Sequence, residues 1–161
     1  MKGDPRVIAV LSEVLKAELT AINQYFLHAE MCSNWGYEKL YKHTREESIE
    51  EMRHAEQLIE RILYLDSTPN MSDYFKIQIG RNVQEQFKND LDVEYEAVKR
   101  LNAGIKTCVE VGDNGSRDLL QKILDDEEVH IDWLEAQLHA IEETGIQNYL
   151  AQQIYADGEK A

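Results

Sequence analysis

Glu47-Ser48-Ile49-Glu50-Glu51-Met52-Arg53-His54 and, further on, Glu127-Glu128-Val129-His130 are the stretches on which the reading of this 161-residue sequence turns. Each ends in Glu-x-x-His, pairing Glu51 with His54 and Glu127 with His130. On a helix, residues three apart share a face, so each pair aims a carboxylate and an imidazole at one point. Glu18 precedes Glu51 by the same interval as Glu94 precedes Glu127. The triple Glu18/Glu51/His54 therefore recurs, at one constant offset, as Glu94/Glu127/His130. Glu-x-x-His alone is a weak signal in a Glu-rich chain, whereas the repeated triple is a strong one.

The spacing has a geometric meaning. In an antiparallel helix hairpin, residues equidistant from the turn face each other. The midpoint of 18 and 51 falls in Ser33-Asn34-Trp35-Gly36, and that of 94 and 127 falls beside Gly112-Asp113-Asn114-Gly115, both turn-like. Two such hairpins packed together surround one centre with four carboxylates and two imidazoles. This resembles the arrangement of ferritin-like di-iron bundles. The plainer alternative is six side chains on solvated helix faces. Against it, Glu18 falls among Leu11, Leu15, Ile22 and Tyr25, Glu94 among Phe87, Leu91, Val98 and Leu101, and Glu127 among Leu120, Leu124, Ile131 and Leu134. Carboxylates buried without partners cost several kcal/mol or more, so a cation is expected among them.

The rest of the sequence fits an all-α, four-helix bundle in a single domain over residues 1–161. Gly (8) and Pro (2) are scarce. The spacing predicts helices over Pro5–Ser33, Glu38–Leu65, from about Asn82 to Val111, and over Gly115–Glu143, so that the bundle covers about 4–143. The segment from Asp66 to Gly80 lacks a helical stripe and is too long for a simple turn. Some 15 extended residues reach roughly 50 Å, against about 42 Å for a 28-residue helix. The segment can therefore cross the bundle and set the second and third helices parallel. A short apolar stretch, about 146–156, follows as a fifth helix. Its Ile146, Tyr149, Leu150, Ile154 and Tyr155 need a partner, either their own subunit or other copies.

The net charge of −14 argues against nucleic acid or an anionic membrane and favours cations. No apolar run approaches a membrane span, and Met1-Lys2-Gly3-Asp4-Pro5 lacks the core of a signal peptide. Cys32 and Cys108 stand apart with no Cys-x-x-Cys, which fits a reducing cytoplasm.

Ligand constellation, crossover and short fifth helix together resemble bacterioferritin, the haem-containing cage ferritin, over essentially the whole chain. The resemblance implies that Glu18, Glu51, His54, Glu94, Glu127 and His130 hold two iron ions per subunit. Glu51 and Glu127 would bridge, Glu18 and His54 would complete one iron, and Glu94 and His130 the other. It implies ferroxidase activity on Fe(II) with O2 or H2O2, storage of ferric mineral, a homo-oligomeric 24-mer cage built from twofold dimers, and a ferredoxin as electron donor for iron release. Tyr25, seven residues after Glu18, matches a family tyrosine implicated in electron delivery; it reads equally as a buried tyrosine bonding a carboxylate. Met52 follows Glu51 and so points about 100° away from the metal centre. Leu19, Asn23, Phe26, Ile49 and Ile59 supply a second, partly apolar face near it. By itself this reads as a subunit interface; the resemblance implies that Met52 and its twofold mate ligate a haem b shared between two subunits.

Glu46 and Glu50, four apart, read as a carboxylate pair that could serve an inner-surface iron site or be solvated. Family members commonly place polar residues at 148 and 151; this chain has Asn148 but Ala151. His28, His43 and His139 show no partner in the sequence and read as structural or exposed. Two other functions remain open: a storage subunit whose carboxylates form only an iron pore, and a di-iron oxidase or peroxidase without storage.

Overall fold

Helix α1 (Pro5–Asn34) starts because Asp4 caps it, its Oδ1 accepting the Arg6 N–H, with Pro5 at the first position where no amide hydrogen is needed. It ends at Trp35, and Gly36 at φ 87° turns the chain back. Helix α2 (Glu38–Tyr64) returns along α1. Helix α3 (Val83–Val111) is capped by Asn82, whose side chain accepts the Glu85 N–H. Gly112 at φ 76° closes it, and Asp113 immediately caps α4 (Asn114–Thr144). A six-residue α5 (Ile146–Ala151) follows Gly145. The computed structural model describes residues 1–156 and 158; the last part of the chain lies outside the described residues. The four long helices match their expected bounds to within a residue or so. No helix is long and apolar enough to cross a membrane.

The crossover between α2 and α3 settles the topology. Gly3 N–H donates to Leu65 O at 3.1 Å, placing the start of the crossover beside the N-terminal end of α1. From there it climbs α1: Phe75 N–H donates to Thr20 Oγ1 (2.9 Å), Gln78 N–H to Gln24 Oε1 (3.0 Å) and Gly80 N–H to His28 Nε2 (3.0 Å). Three side chains, each four positions from the next on one helix face, thus satisfy the backbone of a segment with no ladder of its own. The segment delivers α3 to the end where α2 began, so α2 and α3 run parallel. Only glycine fits at 80, where a Cβ would lie 2.3 Å from the Gln86 backbone nitrogen.

His28, which lacked a visible partner in the sequence, is fully buried. Its Nε2 accepts from Gly80, so the ring proton sits on Nδ1 and is donated to Asp90 Oδ1 at 2.9 Å. Asp90 accepts a second hydrogen bond from Gln24 Nε2. His43 also has partners: it stacks on Trp133 at 3.6 Å and lies 3.1 Å from Glu47. His139 is exposed.

Two apolar clusters hold the bundle. One joins Val7, Leu11, Leu15, Leu58, Ile62, Leu101, Leu120 and Ile123; the other joins Cys32, Leu40, Phe87, Leu134, Ile141 and Tyr149. On α2, α3 and α4 the Glu or Glu-x-x-His lies in the stretch between the helix's contributions to the two clusters, and on α1 Glu18 sits between Leu15 and Leu19 at the inner edge of the first. The site is therefore clamped from both ends by close-packed side chains.

The C-terminal segment departs from expectation. Its helix stops at Ala151 because Gln152 and Gln153 N–H groups bond back three residues, to Tyr149 and Leu150 carbonyls. Gln153 O then accepts the Lys39 N–H, one of the unpaired donors in the first turn of α2. Tyr149 is buried in the second cluster and donates to Gln137 Oε1 at 2.7 Å, with Ile146 and Leu150 packed nearby. These three residues dock on their own subunit, while Ile154 and Tyr155 stay exposed.

Candidate metal centre

Glu18, Glu51, Glu94 and Glu127 are each 2 % exposed or less, and His54 and His130 are 3 % and 4 % exposed. Helix α1 contributes Glu18, α2 Glu51 and His54, α3 Glu94, and α4 Glu127 and His130. Both imidazoles turn Nδ1 toward the middle. His54 Nδ1 lies 3.2 Å from Glu51 Oε2, 3.3 Å from Glu127 Oε1 and 3.6 Å from Glu18 Oε2. His130 Nδ1 lies 3.3 Å from Glu51 Oε1 and 3.4 Å from Glu94 Oε1.

The donor atoms fall into two groups, each within 4.8 Å: Glu18, Glu51, His54 and Glu127, and Glu51, Glu94, Glu127 and His130. Glu51 and Glu127 belong to both. These are the same two residues for which the resemblance implies a bridging position.

The protein alone leaves this centre electrically incomplete. Glu18 Oε2, Glu51 Oε1, Glu94 Oε2 and Glu127 Oε1 are buried without a hydrogen-bond partner. Burial, reinforced by the Glu51 charge, pushes the Glu18 carboxyl well above its ordinary range. Burial also raises Glu94, and raises Glu127 with help from Glu51, Glu94 and Glu18. For Glu51 burial acts the same way, but the adjoining Glu18 carboxyl and the His130 and His54 imidazoles outweigh it and hold that carboxyl low. Burial disfavours imidazolium at His54 and His130, yet their carboxylate partners prevail and raise both far above an ordinary histidine.

Tyr25 is buried and its Oη donates a short hydrogen bond to Glu94 Oε1. Burial and the Glu94 charge raise its phenol well above its ordinary value. Glu46 and Glu50 are parted: Glu46 is exposed and bonded to Arg53 at 3.2 Å, while Glu50 reaches His130 Nε2 at 3.2 Å. Glu50 belongs to two outer groups, with Glu47 and His130, and with His54 and Asp126; Glu46 belongs to none of the four groups found among the described residues. Met52 is 55 % exposed and Phe26 51 %, on a face separate from the buried carboxylates. Leu19 is buried in the first apolar cluster.

Two participants escaped the sequence reading. Glu47 contacts His130 Nε2, and Asp126 Oδ2 lies 2.9 Å from His54 Nε2. A signal for the second was present: Asp126 follows Glu50 at the offset that relates the two triples, so the repeat extends beyond them.

Residues 8–144 match the ferritin-like domain family. The chain is 51 % identical over 152 residues to a bacterioferritin of Mycobacterium tuberculosis, covering 94 % of this chain and 96 % of that one. It is 51 % identical over 151 residues to a bacterioferritin of Streptomyces coelicolor (94 % and 90 %) and 48 % over 155 residues to a bacterial ferritin of Synechocystis (96 % and 99 %). Fold and match together make this a ferritin-like bundle with a buried carboxylate–histidine centre. Within that class, the chain belongs to the bacterioferritin family.

Proposed function

We propose that this protein stores iron and oxidises Fe(II) at a two-metal centre made of Glu18, Glu51, His54, Glu94, Glu127 and His130. The observation that carries the proposal is the pair of donor groups sharing Glu51 and Glu127, with four buried carboxylate oxygens lacking partners. Four carboxylate charges balance two divalent cations when both imidazoles are neutral. Hard carboxylates stabilise Fe(III) while imidazoles accept Fe(II), and shared carboxylates can hold two ions ~3.5–4 Å apart. Fe(II) as substrate supplies one electron per ion, so a pair gives the two electrons that O2 and two protons need to become hydrogen peroxide; H2O2 takes the same two to become water.

The chain's own groups do the rest. Glu51 and Glu127 hold both ions at a fixed separation. Metal ligands must be deprotonated, so His54 and His130 release their Nδ1 protons as metal enters. Tyr25 holds Glu94 through its hydroxyl and can supply an electron on that side. The apolar clusters exclude bulk water.

We place this subunit in a homo-oligomeric cage of 24 built from twofold dimers, in the cytoplasm, with a ferredoxin supplying electrons for iron release. Met52, exposed on α2, would be the chain's ligand to a haem b shared with the twofold mate. A neutral thioether enters an apolar cleft without burying charge. One haem per two chains is expected in a pyridine haemochrome assay, and Met52→Leu should lose it; one haem per chain would exclude a shared ligand pair.

Stopped-flow oxidation tests the main reading. A fast phase consuming two Fe(II) per chain, blocked by prior loading with Zn(II), is expected. Slow oxidation with no such phase would leave only a passive iron pore.

A further inference from the structure

We propose that Glu50 and Asp126 are a reciprocal positioning pair, each fixing the imidazole of the opposite hairpin so that its Nδ1 faces the metals. The inference rests on the two-metal reading and adds residues outside its six ligands. Each carboxylate stands one helical turn before the histidine of its own helix, Glu50 before His54 and Asp126 before His130. That spacing would allow a bond within the helix. The structure makes the crossed pairing instead: Asp126 Oδ2 is 2.9 Å from His54 Nε2, and Glu50 Oε2 is 3.2 Å from His130 Nε2. The two contacts are related by the same internal repeat that relates the ligands.

The chemistry of imidazole makes such contacts matter. A ring that presents its Nδ1 lone pair to a metal must carry its proton on Nε2, and an acceptor at Nε2 fixes both tautomer and ring rotation. Glu50 and Asp126 provide that acceptor from across the α2–α4 cleft, with 35 % and 47 % side-chain exposure. Being half in solvent, they add no buried charge of the kind the inner carboxylates carry. His130 has a second acceptor in Glu47, whereas Asp126 alone contacts His54 Nε2 among the described residues. Loss of Asp126 should therefore be felt more than loss of Glu50.

Co(II) is a suitable probe, since its visible absorption reports coordination without any oxidation step. In the intact assembly, two Co(II) per chain are expected. Asp126→Ala should weaken one of them about tenfold or more and alter its absorption bands. Asp126→Asn, whose Oδ1 can accept the same Nε2–H, should restore the spectrum and most of the affinity. Glu50→Ala should weaken the other ion by a smaller factor. Asp125→Ala, which removes a neighbouring charge bonded to Gln121 rather than to histidine, should change nothing. Circular dichroism confirms that each variant is folded. Unchanged Co(II) binding in Asp126→Ala would overturn the proposal. So would an Asp126→Asn protein as weak as Asp126→Ala, because charge rather than orientation would then matter. Failure of the unmodified protein to bind two Co(II) would instead overturn the two-metal reading beneath it.

Discussion

Glu18, Glu51 and His54 of the α1/α2 hairpin have counterparts in Glu94, Glu127 and His130 of the α3/α4 hairpin, yet the same register places Leu101 where Tyr25 stands and Ile123 where Glu47 stands. Leu101 and Ile123 are buried members of an apolar cluster. Tyr25 and Glu47 both turn toward one side of the centre, the first bonding Glu94 and the second His130. The two donor groups are thus alike in composition and unlike in surroundings. One has a phenol and two outer carboxylates, and the other has Asp126 alone behind its imidazole. On the proposed two-metal reading, alike donors suit a pair of identical ions, and unlike surroundings would distinguish the two sides of that pair.

The sharpest way to break this comparison is to remove what the halves share. Glu127→Ala takes a donor from both groups, so the fast phase of Fe(II) oxidation should fall about 100-fold or more, roughly 2.7 kcal/mol of barrier. His54→Ala, by contrast, should weaken one ion and spare the other in a metal titration. A wild-type rate in Glu127→Ala would mean that the two groups do not act together.

The asymmetric positions come next. Tyr25→Phe keeps the ring and removes the hydroxyl, so two metals should still bind while fast oxidation slows by about tenfold, or ~1.4 kcal/mol. Leu101→Met, a volume-conserving change at the equivalent position, should leave the rate unaltered. Equal effects at the two positions would remove the functional difference between the halves.

A pH series on metal-free protein distinguishes the centre as a whole from the apolar clusters. Glu18, Glu94 and Glu127 are raised by burial, and His54 and His130 by their carboxylate partners. The native chain then holds more protons than the unfolded chain above the ordinary carboxyl range, so stability falls as pH rises. Glu51 and Glu47 are lowered and act oppositely, but their contribution is complete once pH has passed the ordinary carboxyl range. Calorimetry should show Tm of the metal-free form dropping by about 5 °C or more between about pH 6 and 9. Metal-loaded protein, its protons already displaced, should show a smaller drop. The apolar clusters contribute only toward the upper end of that range, through Cys32 and Cys108, whose thiols burial raises.

The smallest effect expected lies at the end of the chain. Tyr149→Phe loses the bond to Gln137 without opening a cavity, worth about 1 kcal/mol, so Tm should fall by about 2–4 °C.

Much of this was legible because the decisive residues obey helical periodicity. Helix limits followed from Asp4-Pro5, Gly36, Gly112 and Asp113, each of which acts through its own backbone or cap. The six inner residues could be paired because hairpin geometry converts sequence distance into facing positions. What stayed hidden depends on contacts between distant elements. Neither the Thr20, Gln24 and His28 ladder under the crossover nor Asp90 behind it has a local signature, since those side chains serve a segment far along the chain. Asp126 and Glu50 stand at matching repeat positions, but their crossed pairing depends on the spacing of α2 and α4. The early end of α5, where Gln152 and Gln153 bond back three residues, was hidden because the turn is held by Gln153 O accepting from Lys39, far off in sequence.

Anomalous diffraction from crystals loaded with Fe(II) without oxygen tests the two-metal centre most directly. Two peaks about 3.5–4 Å apart, one nearer Glu18 and His54 and the other nearer Glu94 and His130, with Glu51 and Glu127 between them, are expected. A single peak, or iron seated only on the outer carboxylates Glu47, Glu50 and Asp126, would contradict it.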